Sequence, residues 1–246
     1  MPGLDFDAWQ AAALLLAGAV AGGLRGFSGF GAALVLAPVG SLIVGAHVAV
    51  PAIMLSMFVT TAQLFAPTWR HVRWSDQLAL SLSGCVGVPA GVALLVFLDP
   101  ELMRRGISVL TVLLALFLMT GWRSGHPPTR LGAASVGGLG GVLSGSTSLG
   151  GPPVVAYLLA GPGSAAQTRA SLIYYFAFTQ LVSLIAFWIG GLMNWEVLAT
   201  AAVIAPSLVA GTWGGMRLFH LASERSFRLA ALTILLLVGV STLLAK

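Results

Sequence analysis

Gly22-Gly23-Leu24-Arg25-Gly26-Phe27-Ser28-Gly29-Phe30-Gly31 interrupts an apolar stretch near the start of the chain. Half a chain later, Gly141-Val142-Leu143-Ser144-Gly145-Ser146-Thr147-Ser148-Leu149-Gly150-Gly151-Pro152-Pro153 interrupts another. A shift of 119 residues superposes Gly22 on Gly141, Leu24 on Leu143, Gly26 on Gly145 and Gly31 on Gly150, with Ser28 over Thr147. Backbone in lipid must satisfy its own hydrogen bonds. Such a run therefore breaks a membrane helix only where protein or a polar cavity shelters it. Paired interruptions in two halves point to a transporter's binding site.

The composition sets these breaks in a membrane. Of 246 residues, 58% are hydrophobic and 8% charged, with a mean hydropathy of +0.97. A soluble domain carries roughly 25% charged residues. The chain reads as an all-α polytopic membrane protein with no soluble domain left over. Its 12 basic residues include one lysine, Lys246, and give a pI near 10.4. They sit mostly in short loops, where they act as topology signals rather than as a nucleic-acid surface. Cys85 stands alone in an apolar run and reads as a small buried hydrophobe. No disulfide framework or zinc spacing is present, and no metal or cofactor is expected. Met1 to Asp7 is acidic and lacks the basic n-region of a cleavable signal peptide, so the first apolar segment is expected to be retained.

Apolar segments fall at 8–24, 30–46, 48–67, 77–98, 103–122, 131–144, 150–161, 169–190, 195–216 and 227–245. The longer ones suit a hydrocarbon core about 30 Å thick. This makes eight to ten spanning or re-entrant segments, the first of each half broken by glycines. Trp9, Trp69, Trp74, Trp122, Trp188, Trp195 and Trp213 lie near segment ends, as an interfacial belt does. Asp76-Gln77-Leu78-Ala79 matches Glu196-Val197-Leu198-Ala199 at a shift of 120, so the duplication extends beyond the breaks. The polar turn Gly125-His126-Pro127-Pro128-Thr129 divides the chain into halves 1–125 and 126–246.

The basic residues decide how the halves are oriented. If each broken segment crosses once, the side of the N-terminus holds Arg70, Arg73, Arg123, Arg130 and Lys246. The other side holds Arg104, Arg105, Arg169, Arg217, Arg225 and Arg228, a split of five against six with no signal. If each goes in and returns, Arg70, Arg73, Arg123, Arg130, Arg169, Arg217, Arg225 and Arg228 share one side. Arg104, Arg105 and Lys246 share the other, and the split is eight against three. The positive-inside rule favours the second arrangement: inverted halves, with both termini periplasmic.

Candidate functional residues cluster at the breaks. Arg25 is a charge inside a break, where it reads either as an anion-binding cation or as an arginine snorkelling to headgroups. Ser28, Ser144, Ser146, Thr147 and Ser148 place hydroxyls beside freed backbone N–H groups. Helix legs starting near Gly29 and Gly150 would direct partial positive charge inward. The glycines fit close helix packing as well. The substrate-binding set is therefore Arg25, Gly26, Ser28, Gly29, Gly31, Gly145, Ser146, Thr147, Ser148, Gly150, Gly151 and Pro152. Gln63, Tyr174, Tyr175 and Gln180 lie within spans, where each either lines a pathway or bonds a neighbouring helix. All seven acids lie at or near loops, so a proton relay through a buried carboxylate is not expected.

The run Arg25-Gly26-Phe27-Ser28-Gly29-Phe30-Gly31-Ala32-Ala33-Leu34-Val35-Leu36-Ala37-Pro38 resembles the first signature of the sulfite exporter TauE/SafE family. Ser144-Gly145 through Gly150-Gly151-Pro152-Pro153-Val154-Val155-Ala156-Tyr157-Leu158-Leu159 resembles its second. Ala32 stands where a glycine is common in the first signature, whereas Gly151 keeps its counterpart. The resemblance implies a bacterial inner-membrane permease for sulfite, organosulfonates or related small anions. It leaves open the anion, the direction, a proton or sodium coupling ion and the oligomeric state.

Other classes compete with a secondary transporter of small sulfur oxyanions. One is a passive anion channel, a carrier of small carboxylates or a non-transporting assembly factor. Another is an intramembrane serine protease, suggested by Gly26-Phe27-Ser28-Gly29. A serine nucleophile needs a base within hydrogen-bond reach. No histidine lies well inside a span, and the duplicated break carries Thr147 in place of Ser28. The transporter reading is preferred, and no enzyme is expected.

Overall fold

The computed structural model describes residues 7–68, 72, 74–120, 129–159 and 164–218. The expected segment 227–245, the turn at 125–128 and the topology-setting Arg70, Arg73, Arg123, Arg225, Arg228 and Lys246 lie outside the described residues. Nine helices and no strands make up the described chain: α1 (Ala8–Ser28), α2 (Ala32–Val44), α3 (Ala46–Thr68), α4 (Trp74–Phe97), α5 (Pro100–Met119), α6 (Arg130–Thr147), α7 (Gly151–Leu159), α8 (Ala165–Ile189) and α9 (Trp195–Leu218). Five of them, α1, α3, α4, α8 and α9, are long and apolar enough to cross a membrane.

The breaks are narrower than the glycine content suggests. Gly22 to Ser28 and Gly141 to Thr147 are helical, and the chain leaves the helix only at 29–31 and 148–150. Gly29 ends α1 with φ 81°, its N–H returned to the Arg25 carbonyl, and Gly31 opens α2 with φ 92°. Left-handed backbone of this kind suits a residue with no Cβ. At the matching point Ser148 takes φ 64°, a conformation that costs a side-chain-bearing residue about 1–2 kcal/mol. Its hydroxyl donates to the Val50 carbonyl of α3 at 3.3 Å, which offsets part of that strain. Gly151, Pro152 and Pro153 form the first turn of α7, where missing N–H groups have no helical role.

The helices that follow the breaks are short. At 1.5 Å per residue, the 13 residues of α2 cover about 20 Å and the nine of α7 about 14 Å, against about 30 Å of hydrocarbon. α2 returns against α1 and α3, and α7 returns against α6 and α8.

The remaining glycines join helices backbone to backbone. α1 lies along α9, with Gly18, Gly22 and Gly26 facing Ser207, Leu208 and Thr212. Gly211 and Gly215 face Ala19 and Gly23 in return. α6 lies along α4 in the same manner: Gly137, Gly141 and Gly145 face Ser83, Gly84 and Val88. Small residues at such spacing let carbonyls of one helix meet Cα–H groups of the next, each contact adding about 0.5–1 kcal/mol. Between the two seams, α3 packs on α8. Thr61 meets Gln180 and Phe65 stacks on Tyr174, so the two helices run antiparallel. At the start of α5, hydrogen bonds from Arg104 and then Arg105 hold the exposed Glu101 carboxyl down at about 2.

The seams make a sharp mutational contrast. A Cβ at Gly22 would collide with the Leu208 carbonyl and one at Gly141 with the Gly84 carbonyl, whereas one at Gly23 meets nothing within 4 Å. Gly22→Ala and Gly141→Ala should each destabilise by about 1–3 kcal/mol, as overpacking does, while Gly23→Ala stays close to wild type. Thermal unfolding of the detergent-purified variants measures the difference.

Candidate functional site

Arg25 lies in the last turn of α1 and is 0% exposed. A side chain so enclosed does not reach headgroups, so the snorkelling reading does not describe it. The α1–α9 seam holds this end of α1 in the bundle, and Thr61 of α3 and Phe176 of α8 lie beside the guanidinium. Its Nη2 donates to Thr61 Oγ1 of α3 at 2.5 Å. The Thr61 hydroxyl in turn lies 2.6 Å from Gln180 Oε1 of α8 and 2.9 Å from the Met57 carbonyl, either of which accepts its proton. The Phe176 ring stands 5.7 Å from the guanidinium carbon, within reach of a cation–π attraction.

These contacts leave donors over. Arg25 Nε and Nη1 and Gln180 Nε2 are buried with no hydrogen-bond partner. An unpaired buried polar group costs about 1–3 kcal/mol, and more when charged. Each vacant group is a donor, and one carries a full positive charge. The chemistry that satisfies an unpartnered guanidinium N–H is an acceptor oxygen, best of all an anionic one. Among the described residues no group of three or more His, Cys, Asp or Glu could hold a metal ion.

Most hydroxyls of the breaks are committed to their own backbone. Ser28 donates back to the Leu24 carbonyl at 2.7 Å and accepts from the Phe30 N–H at 3.3 Å. Thr147 repeats that stitch with the Leu143 carbonyl at 2.8 Å and the Leu149 N–H at 3.3 Å. Ser146 donates to the Val142 carbonyl and Ser148 to Val50. Ser144, the counterpart of Arg25 at the 119-residue shift, differs: its buried hydroxyl has no partner. Gly26 and Gly145 belong to the helix seams, and Gly150 packs against Ser144 and Gly140. Gly29 meets the Arg169 side chain, and Gly31 closes back toward Leu24. Pro152 is buried in the first turn of α7.

Phe176 ties the second break to Arg25. A Cβ at Gly151 would lie 3.3 Å from Phe176 and 3.9 Å from Phe30 of the first break. Of the four residues expected on a pathway, Gln180 joins Arg25 through Thr61. Tyr174 stacks on Phe65 at 4.3 Å and meets Trp74 edge-on. Tyr175 is buried with its hydroxyl donated to the Gly137 carbonyl at 2.9 Å. Gln63 is exposed on α3 and does not join the site. An apolar cleft of about 300 Å³, lined by Leu55, Leu184, Ile185, Trp188 and Met193, includes neither Arg25 nor a break residue.

Sequence reading missed Thr61, Phe176 and Arg169. Thr61 had a signal, since the 119-residue shift carries it onto Gln180. Arg169 entered the sequence reading only as a side-setting charge at the start of segment 169–190. It lies in α8, where its Nη2 donates to the Gly26 carbonyl at 2.8 Å, at the C-terminal end of α1.

An apolar all-helical bundle with five helices long enough to cross a bilayer is the construction of a multi-pass membrane protein. The chain belongs to the sulfite exporter TauE/SafE family, whose model matches residues 14–242. A curated relative from Cupriavidus necator strain H16, described as a probable sulfite/organosulfonate exporter TauE, is 28% identical over 228 residues. That match covers 88% of this chain and 87% of the relative. No solved structure matches. The chain is thus a multi-pass membrane transporter and not an enzyme. Ser28 fits this, because its hydroxyl is engaged by Leu24 and Phe30 rather than by a base.

Thr61 holds both Arg25 and Gln180. Thr61→Val removes that hydroxyl and should cost about 1–3 kcal/mol, whereas Thr61→Ser keeps it and should cost much less. Thermal unfolding of the two variants beside wild type tests this ordering.

Proposed function

We propose that this protein is a secondary transporter of small sulfur oxyanions, sulfite or organosulfonates, across a bacterial inner membrane. In this reading the anion is bound by Arg25 and Gln180. The carrying observation is the fully buried guanidinium whose Nε and Nη1 have no partner. The name of the Cupriavidus necator relative points to the same substrate class. Arginine suits an oxyanion because its planar fork matches two oxygens at once, which an ammonium does not. Ser144 supplies the neutral counterpart in the second half, and Phe176 forms an apolar wall beside the first-half cation.

The same proposal treats 1–125 and 126–246 as inverted halves related by a pseudo-two-fold axis through Thr61 and Gln180. Three features support it. The two residues are equivalent at the 119-residue shift and bond each other. α3 and α8, which begin 119 residues apart, run antiparallel. The seams α1–α9 and α4–α6 each join the first helix of one half to the fourth helix of the other. With both termini periplasmic, a C-terminal alkaline phosphatase fusion should be active and a C-terminal green fluorescent fusion dark. The reverse pattern contradicts the periplasmic placement of the C-terminus.

The binding role of Arg25 is tested by flux and by stability together. In proteoliposomes, Arg25→Lys should lower sulfite or sulfonate flux at least about tenfold, and Arg25→Ala further. A ligand at 100 times its Kd raises wild-type stability by about 2.7 kcal/mol, and Arg25→Ala should lose that gain. Screening sulfite, sulfate, thiosulfate, taurine, sulfoacetate and carboxylates by thermal shift ranks the anions. Normal flux and normal stabilisation in both variants would remove Arg25 from the site.

A further inference from the structure

We propose that the transporter reorients only with an anion aboard, so that it works as an anion exchanger. Exit of one sulfur oxyanion is then coupled to entry of another small anion. The inference rests on the reading of Arg25 as the anion's ligand and adds how the cycle must run.

The argument is one of charge. Arg25 is enclosed by α1, α3 and α8, and its partner Thr61 is neutral. The acids among the described side chains lie elsewhere. Asp7 caps the opposite end of α1, about 27 Å away along the helix. Asp99 caps α5 through the N–H groups of Glu101 and Leu102. Glu101 is taken by Arg104 and Arg105 at 2.7 Å each. Glu196 is exposed in the first turn of α9. Arg169, on the Gly26 carbonyl, brings a further guanidinium to the same end of α1 rather than a negative charge.

An alternating carrier must pass through a state in which neither side reaches its site, and the described arrangement, with Arg25 at 0% exposure, has that character. Passing through it empty leaves a bare cation in a low-dielectric interior, where charge burial without a partner is heavily penalised. Passing through it loaded places the anion's charge against the guanidinium and gives an acceptor to an N–H that is otherwise bare. The loaded carrier should therefore turn over at least about tenfold faster than the empty one.

Labelled sulfite efflux from proteoliposomes carrying the purified full-length protein tests this. One external medium contains lactobionate as its only anion, and the other adds unlabelled sulfite or methanesulfonate. The proposal expects external sulfite or methanesulfonate to speed efflux at least about tenfold. It also expects Arg25→Gln, which keeps donors but drops the charge, to bring that ratio of rates close to one in whatever flux remains. Equal wild-type efflux into both media overturns the exchange and leaves the sulfur-oxyanion reading standing. So does fast efflux into lactobionate when a sodium or proton gradient is imposed. No sulfite movement in either medium overturns the substrate reading and the exchange with it.

Discussion

Backbone-to-backbone packing of glycine sets what the rest of this molecule can do. Along α1 and α9, and again along α6 and α4, a carbonyl of one helix occupies the space a Cβ would need on the other. Lipid tails are as apolar as the side chains they touch, so helices associate in a membrane through close packing and hydrogen bonds. The α1–α9 seam fixes the end of α1, where Arg25 meets Thr61 of α3 and Phe176 of α8. That position is what removes Arg25 from every surface. A longer side chain at Gly22 or Gly26 would push α1 away from α9 and shift the guanidinium with it.

The breaks after α1 and α6 solve a second problem by local means. Each must end a helix at depth without leaving polar groups bare. Ser28 and Thr147 do this identically, bonding one turn back and accepting one N–H two residues on. The halves then part company. The first has Gly29 in the left-handed region and Arg25 one turn earlier, whereas the second has Ser148 and Ser144. Strained backbone concentrates at functional sites. Here it lies on the half without the cation, tied to α3 through Val50. The two breaks, alike in their stitching, thus differ in charge, with Arg25 in the first and Ser144 in the second.

Helix positions were legible in the sequence because span length and apolar content are set directly by the bilayer. The segments read as 8–24, 48–67, 77–98 and 195–216 lie within or close to α1, α3, α4 and α9. The extent of the breaks was not legible. Glycine serves both as helix breaker and as seam residue, and nothing local separates Gly22 and Gly26, which pack, from Gly29 and Gly31, which turn. The hydroxyls were ambiguous for a similar reason. Ser28, Ser146 and Thr147 looked like ligands by composition, yet a helical serine or threonine readily bonds its own carbonyl one turn back. Arg25 was visible as an anomalous charge, but its partner Thr61 was not, because a match to Gln180 at the 119-residue shift does not by itself say which side chain either residue touches. Only tertiary packing brings Thr61, Gln180 and Phe176 to it.

The central claim is that a sulfur oxyanion sits on the Arg25 guanidinium, between α1, α3 and α8. Selenite is a close analogue of sulfite, and its selenium scatters anomalously. A crystal of the protein grown with selenite should show a selenium peak within hydrogen-bonding range of Arg25 and Gln180. That peak should vanish from crystals of Arg25→Ala. A selenium peak at another place in the bundle, or one that survives in Arg25→Ala, would contradict the account.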